Sequence, residues 1–279
     1  MSRRNNRALA ILAIMLLPLT ITYAKQVAIT IDDLPYVGNA GNNEGKLRRE
    51  KQRFEMILKT LEEEKVPATG FVVAGYIEKD QWSLLEAFHQ QGNIIGNHTY
   101  SHRGLGRSSA EQFIEDIDKA DEIIAPLMST PKYFRYPFLS MGRQCKTKAA
   151  VRQHLYEKGY WVAPVTIDPK DYNMNQRWHN VPWRQRDSVT NSFRQRYLSA
   201  LKYRIHQAEN KAMQKMHRPI KHILLIHMNT LNAMFFKDVI QLFRDEGYEF
   251  ITLPDALSDP YYEIYTTRLM EPNCEDQTS

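Results

Sequence analysis

Val27-Ala28-Ile29-Thr30-Ile31-Asp32-Asp33-Leu34-Pro35 is an apolar, largely β-branched run closed by two adjacent carboxylates. Its first five residues predict a strand, Val27–Ile31, with the aspartates at its carboxyl end. Carboxylates this close repel each other and resist burial unless a positive group sits between or beside them. Downstream, His98-Thr99-Tyr100-Ser101-His102 places two imidazoles four residues apart, a spacing that can converge on one cation. The two segments together point to a metal site assembled from separate strand ends. An oxygen ligand with two imidazoles suits Zn²⁺ or a similar divalent ion and leaves coordination positions for water and substrate.

Outward from that strand, helix-like and strand-like segments alternate, the pattern of βα units around a parallel sheet. Leu47, Phe54, Ile57, Leu58 and Leu61 carry helical spacing until Val66-Pro67 ends it. Thr69–Ala74 is the second strand. Trp82–Phe88 is a short helix that Gly92 stops, and Asn93–Gly96 is a strand running directly into His98. Ser108 and Glu111 form a capping box ahead of Phe113 and Ile117. Lys132–Tyr136 is a strand, Lys148–Lys158 a helix, and Tyr160–Ile167 a strand that ends at Asp168. His222–Ile226 is a strand ending at His227, followed by a helix near Ala233–Glu246 and a last strand, Tyr248–Thr252. Asp32, His98, Asp168 and His227 thus each follow a strand end, and Arg135 lies near another. That edge of a parallel α/β sheet is where chemistry gathers. One such residue there is common by chance; five on one rim are not.

At 279 residues, 43% hydrophobic and 25% charged, the chain can bury a large core, and disorder is excluded. Arg3, Arg4 and Arg7 precede an apolar run, Ala8–Ile21, and then Thr22-Tyr23-Ala24, the pattern of an export signal over residues 1–24. An uncleaved membrane anchor is the alternative, since Thr22 makes the cleavage motif imperfect. Removal takes away three arginines and no acid, so the net charge of +5 becomes +2. Cys145 and Cys274 are then the only thiols, and in an exported protein they either pair or stay free. Positive charge concentrates between Met174 and His222, where eleven Lys or Arg face only Asp187 and Glu209. Val189, Phe193, Tyr197, Leu201, Ile205, Ala208, Ala212 and Met216 recur there at helical spacing, predicting a long amphipathic helix that stops near Pro219. It is read as a helix packed across the fold with a solvated basic face. The sharper alternative is a lid or clamp that attracts an anionic polymer or a membrane surface. Nucleic acid is not expected as a partner of an exported chain.

Each motif alone has an ordinary explanation: a solvated acid pair, capping histidines, a salt bridge beside a turn, a satisfied core histidine. Five in order do not. Thr30-Ile31-Asp32-Asp33, His98-Thr99-Tyr100-Ser101-His102, Arg135-Tyr136-Pro137-Phe138, Asp168-Pro169-Lys170-Asp171-Tyr172 and Leu224-Leu225-Ile226-His227 resemble the motifs of the polysaccharide deacetylases, the NodB-homology group of carbohydrate esterases. The match runs from Val27 to Leu253. The resemblance implies a distorted (β/α) barrel spanning residues 25–279, with the basic segment at about 174–221 as an insertion. It implies that Asp33, His98 and His102 hold a divalent metal, with Zn²⁺ the first choice, and that Asp32 is the general base. His227 is then the general acid, oriented by Asp171, and Arg135 positions the catalytic carboxylate. In that scheme Asp32 takes a proton from activated water, the Phe138 N–H helps hold the oxyanion, and His227 protonates the departing amine. Phe138 stands where the family usually has tyrosine, and Tyr172 where it has tryptophan. The second change alters the groove wall and so bears on sugar specificity.

The function expected on these grounds is metal-dependent removal of N-acetyl groups from an envelope glycan such as peptidoglycan or a chitin-like oligosaccharide. Two alternatives stay open at this level. A sugar O-deacetylase or deformylase would use the same water attack, and a non-catalytic glycan-binding protein would retain the fold alone.

Overall fold

The computed structural model describes residues 24–41 and 43–266. The export segment lies outside them except for Ala24, and the Cys145–Cys274 pair lies outside them through Cys274. In chain order the main elements are β1 (Lys25–Leu34), α1 (Glu44–Glu64), β2 (Ala68–Val72), α2 (Trp82–Gln90), β3 (Ile94–Asn97), α3 (Ala110–Ile124), β4 (Lys132–Phe134), α4 (Cys145–Glu157), β5 (Tyr160–Val162), α5 (Asp171–His179), α6 (Arg186–Met216), β6 (Lys221–His227), α7 (Thr230–Asp245), β7 (Tyr248–Ile251) and α8 (Leu253–Leu257).

Every strand pairing is parallel, in the order β5-β4-β3-β2-β1-β6, with β7 against the start of β1. Lys25–Ala28 pair with β7, Ile29–Leu34 with β2, and Gln26–Asp32 with β6 on the other side. β1 is therefore central, which is why Val27 through Leu34 are all buried and why its sequence is continuously apolar before the aspartates. The sheet curls into a half-barrel ringed by helices, the distorted (β/α) barrel expected. Phe54, Ile57 and Leu61 of α1 and Phe236, Val239, Ile240 and Phe243 of α7 close the main core. Parallel strands put all their carboxyl ends on one rim, and the ladder continues there into the loops. His98 N–H donates to the Val72 carbonyl at 2.9 Å, Arg135 N–H to Asn97 at 3.0 Å, and Met228 N–H to Asp32 at 2.9 Å.

Where structure and expectation differ, local chemistry explains it. β1 continues to Leu34, with a register shift against β2 between Ile31 and Leu34 and a left-handed backbone at Asp33 (φ 65°). In a regular strand neighbouring side chains point to opposite faces, so this irregularity lets both carboxylates serve the same rim. The capping box sits one residue later, at Ser109 and Gln112, since either serine has a Glu or Gln three residues on. The strand expected over Tyr160–Ile167 ends at Val162, because Pro164 lacks a ladder donor; Ile167 keeps a single bridge to Leu224. Asp168 therefore follows a loop, and its Oδ1 accepts from the Lys170 N–H at 2.8 Å.

The basic segment forms α6, 31 residues long, ending at Met216 with a left-handed cap at His217. Its buried stripe is Tyr197, Leu201, Ile205, Ala208 and Ala212, as the periodicity predicts. Several of its charges pair along α7: Arg194 with Asp238 at 2.5 Å, and Lys202 and His206 with Glu246 at 2.6 and 2.9 Å. These hydrogen bonds, Lys202 first, hold the Glu246 carboxyl below its usual range. Lys202 is half exposed, so Lys202→Ala should cost no more than about 1 kcal/mol in a denaturant titration, and less as salt is added.

Candidate metal centre and active site

Asp33, His98 and His102 come together at the rim: one ligand atom from each lies within 4.8 Å of the other two. His102 Nε2 is 3.2 Å from Asp33 Oδ1, and His98 Nε2 is 3.7 Å from it. His98 Nδ1 sits 2.8 Å from the Arg135 carbonyl, which fixes the proton on Nδ1 and turns the Nε2 lone pair toward Asp33. Asp33 Oδ1 is buried and meets no hydrogen-bond donor. A buried, orphaned carboxylate oxygen facing imidazole lone pairs is a costly arrangement unless a cation lies among them. Burial lowers the His102 pKa despite nearby Asp33, favouring the neutral, ligating form. These residues fit a divalent ion of the zinc type, with too few protein ligands to close its coordination sphere.

The backbone at the site is unusual as well. Eight non-glycine residues have positive φ among those described, and six lie in these loops: Asp33, Thr99, His102, Phe138, Leu139 and Lys170. Such conformations are held only where surrounding contacts over-determine them, and they cluster at working sites.

Asp32, 3% exposed, is held from behind by Arg135. Arg135 Nη1 donates to Asp32 Oδ1 at 2.8 Å and to Thr30 Oγ1 at 2.7 Å, while its Nε donates to the Ala163 carbonyl at 3.1 Å. The guanidinium is fully buried and lies 4.3 Å from the centre of the Phe71 ring. Burial lowers its pKa and the Asp32 charge opposes that fall, so the pair is one buried unit. The other oxygen, Asp32 Oδ2, faces the centre, 3.7 Å from His98 Nε2.

On the far side, His227 Nδ1 is 2.7 Å from Asp171 Oδ1. Asp171 is fully buried, and its Oδ2 accepts from the His227 N–H (3.0 Å), Asn229 Nδ2 (2.7 Å) and Asn232 Nδ2 (2.5 Å). Burial opposes ionisation of Asp171, but His227 and these donors outweigh it and hold the carboxyl below its usual value. Burial likewise opposes charge on His227; Asp171 outweighs it, helped by Asp33 and Asp32, and the imidazole is pushed up to about 10. Asn232 Oδ1 in turn accepts from the Tyr197 hydroxyl at 2.6 Å, so α6 reaches the acid pair through one amide. The parts that Tyr197, Asn229, Asn232 and Thr30 play at the site were not foreseen. The Asn-x-x-Asn spacing two residues after a strand-end histidine was the available signal, and Asn229 also caps α7.

Phe138 and Tyr172 frame the opening. The Phe138 ring is 67% exposed with its centre 4.7 Å from that of His102, and Tyr172 stands edge-on to His227 at 5.8 Å. The Phe138 N–H meets no protein acceptor among the described residues, leaving a donor free at the rim.

A family model described as polysaccharide deacetylase matches residues 21–159, and so covers Asp32 through Phe138 but not Asp171 or His227. A chitin deacetylase from Colletotrichum lindemuthianum is 26% identical over 160 residues, 54% of each chain. A peptidoglycan-N-acetylglucosamine deacetylase from Bacillus cereus is 30% identical over 114 residues, 40% of this chain and 36% of that one. The chain thus spans between about a third and about half the length of these curated relatives. The solved structure of the Colletotrichum lindemuthianum chitin deacetylase superposes with a TM-score of 0.57 at 21% identity, covering 85% of this chain and 89% of that one. A CE4 family pseudoenzyme from Bacillus anthracis superposes with a TM-score of 0.57 at 17% identity, covering 84% and 66%, so fold alone does not separate active from inactive members. Sequence motifs, fold and matching model point the same way: over residues 21–159 the chain matches the polysaccharide deacetylase family, and its fold is similar to that of CE4 family structures.

Proposed function

We propose that the protein is a metal-dependent hydrolase that removes N-acetyl groups from an N-acetylated envelope glycan of the peptidoglycan type or from a chitin-like one. The observation that carries this is the complete opposed pair around one centre. Asp32, anchored by Arg135, stands on one side of Asp33, His98 and His102, and His227, charged by Asp171, stands on the other.

Asp33, His98 and His102 would hold a divalent ion, which would supply Lewis acidity toward water and the acetyl carbonyl. Asp32 Oδ2 accepts the proton of the attacking water, while Arg135 fixes Oδ1 and so aims the carboxylate. The free Phe138 N–H donates a hydrogen bond to the carbonyl oxygen as negative charge develops on it. His227, kept protonated by Asp171, gives its proton to the departing amine nitrogen; without it, collapse of the tetrahedral species would return the amide. Tyr172 and Phe138 bracket the sugar. Export follows from residues 1–24, with delivery to the periplasm or beyond.

Product analysis on defined sugars tests this. Incubation with N-acetylated oligosaccharides should release acetate together with one new free amine per acetate. Acetate without new amine from an O-acetylated sugar would assign an O-deacetylase, and formate release from an N-formyl sugar a deformylase. Tight binding of glycan with no product of any kind would make it a non-catalytic member of the fold.

A further inference from the structure

Beside the metal centre lies a cavity of about 710 Å³, walled by Phe138 and by the turns at Gly104–Ser108 and Ser140–Gln144. It shares Phe138 with the catalytic opening, so it is the space next to the residue whose acetyl group is attacked. Its volume is of the size that holds a saccharide unit. Two guanidinium groups, Arg107 and Arg143, line it, and no carboxylate does among the described residues. Both arginines are exposed, and neither is in an ion pair among the described residues. Ser140 and Thr147 add hydroxyls. Gly106 and Gly142 line it without side chains. At Gly142 the backbone has φ +73°, and a Cβ would sit 3.3 Å from Leu105 Cγ, so a side chain there would be strained.

Two permanently charged groups in one concavity, with no ion-pair partner among the described residues, repel each other and focus positive potential into it. A carboxylate is the group their planar donors match, with two parallel N–H···O bonds available per guanidinium. A neutral chain of N-acetylglucosamine carries no such group. We propose that this cavity is a subsite for a carboxylate-bearing sugar next to the one deacetylated, which makes an acidic glycan the preferred substrate class. Muramic acid, with its lactyl ether, has that chemistry, and the exposed Phe138 ring offers an apolar face to the pyranose. The proposal rests on the deacetylase function above and narrows it.

The test compares three oligosaccharides of equal length: alternating N-acetylglucosamine and N-acetylmuramic acid, the same chain with its lactyl carboxylates amidated, and N-acetylchitooligosaccharide. For the native protein kcat/KM should be at least about tenfold higher on the acidic chain than on either neutral one, a preference of about 1.4 kcal/mol. Arg107→Gln with Arg143→Gln should erase it through KM, leaving kcat/KM on chitooligosaccharide and the melting temperature unchanged. Equal rates on the acidic and amidated chains, or variants that lower all three substrates alike, would overturn the subsite. Calorimetric binding of the three chains to Asp32→Asn protein separates the two claims. Preferential binding of the acidic chain without turnover by the native protein would keep the subsite and remove the deacetylase. Turnover without preferential binding would do the reverse.

Discussion

Asp32→Asn should lower turnover by about 10²- to 10⁴-fold, the usual worth of a positioned general base, while the protein still takes up one divalent ion. The separation of those two effects matters more than the size of either. Asp32 Oδ1 is committed to Arg135 at 2.8 Å, and Oδ2 faces the centre. Asparagine keeps an acceptor for the guanidinium but cannot take a proton from water. Asp32→Ala is the harsher change, because Arg135 is fully buried and would lose its only acid partner among the described residues. Breaking a buried pair in this way costs about 3–5 kcal/mol, so a folding defect would be mixed into the kinetics. Single-turnover rates and metal content, measured on the asparagine variant with its melting temperature, check the prediction. Unchanged turnover would remove Asp32 from the chemistry.

Asp171→Asn should produce the second large effect, and its signature lies in the pH profile. As the proposed acid, His227 would work only while protonated, so its contribution would be present below its pKa and lost above. In the native protein that value is pushed up to about 10, chiefly because Asp171 outweighs burial. A positive ion at the Asp33 centre acts in the opposite direction, so the loaded protein's basic limb lies below that figure. Removing the Asp171 charge lowers the pKa further, by about 1–3 units for an opposite charge at contact. The basic limb of kcat/KM should therefore move to lower pH, and kcat at neutral pH should fall with it. His227→Ala should lose the limb altogether, together with about 10²- to 10⁴-fold in rate. A limb that stays in place in Asp171→Asn would assign it to another group.

Much of this arrangement was legible in the chain, for identifiable reasons. β1 is buried between β6 on one side and β2 and β7 on the other, so it had to be continuously apolar, and its two aspartates stood out against that background. Parallel strands share one functional edge, so residues that follow strands far apart in sequence could be placed on a common rim before any distance was known. His98, Arg135 and His227 were found in this way. Local geometry was harder. Nothing in the composition announces that Asp33 takes φ 65°, yet this turn brings two adjacent carboxylates to one site. The start of α5 was missed because Lys170, in a left-handed conformation, precedes Asp171 where a capping side chain would normally mark the helix. Asn229 and Asn232 looked like ordinary helix-start residues. Their amides turn out to hold the Asp171 carboxylate, a contact 58 to 61 positions away in sequence. Periodicity predicted the buried stripe of α6, but could not reveal that Tyr197 within it is one amide removed from the acid pair.

Metal analysis of protein purified from zinc-supplemented medium, for the native chain and for Asp33→Ala and His98→Ala, tests the account at its base. One divalent ion per native chain is expected, falling to near zero in both variants, with their activity lost in parallel and not restored by added zinc at micromolar concentration. A native protein that works at full rate after exhaustive chelation, or variants that keep a full complement of metal, would contradict it.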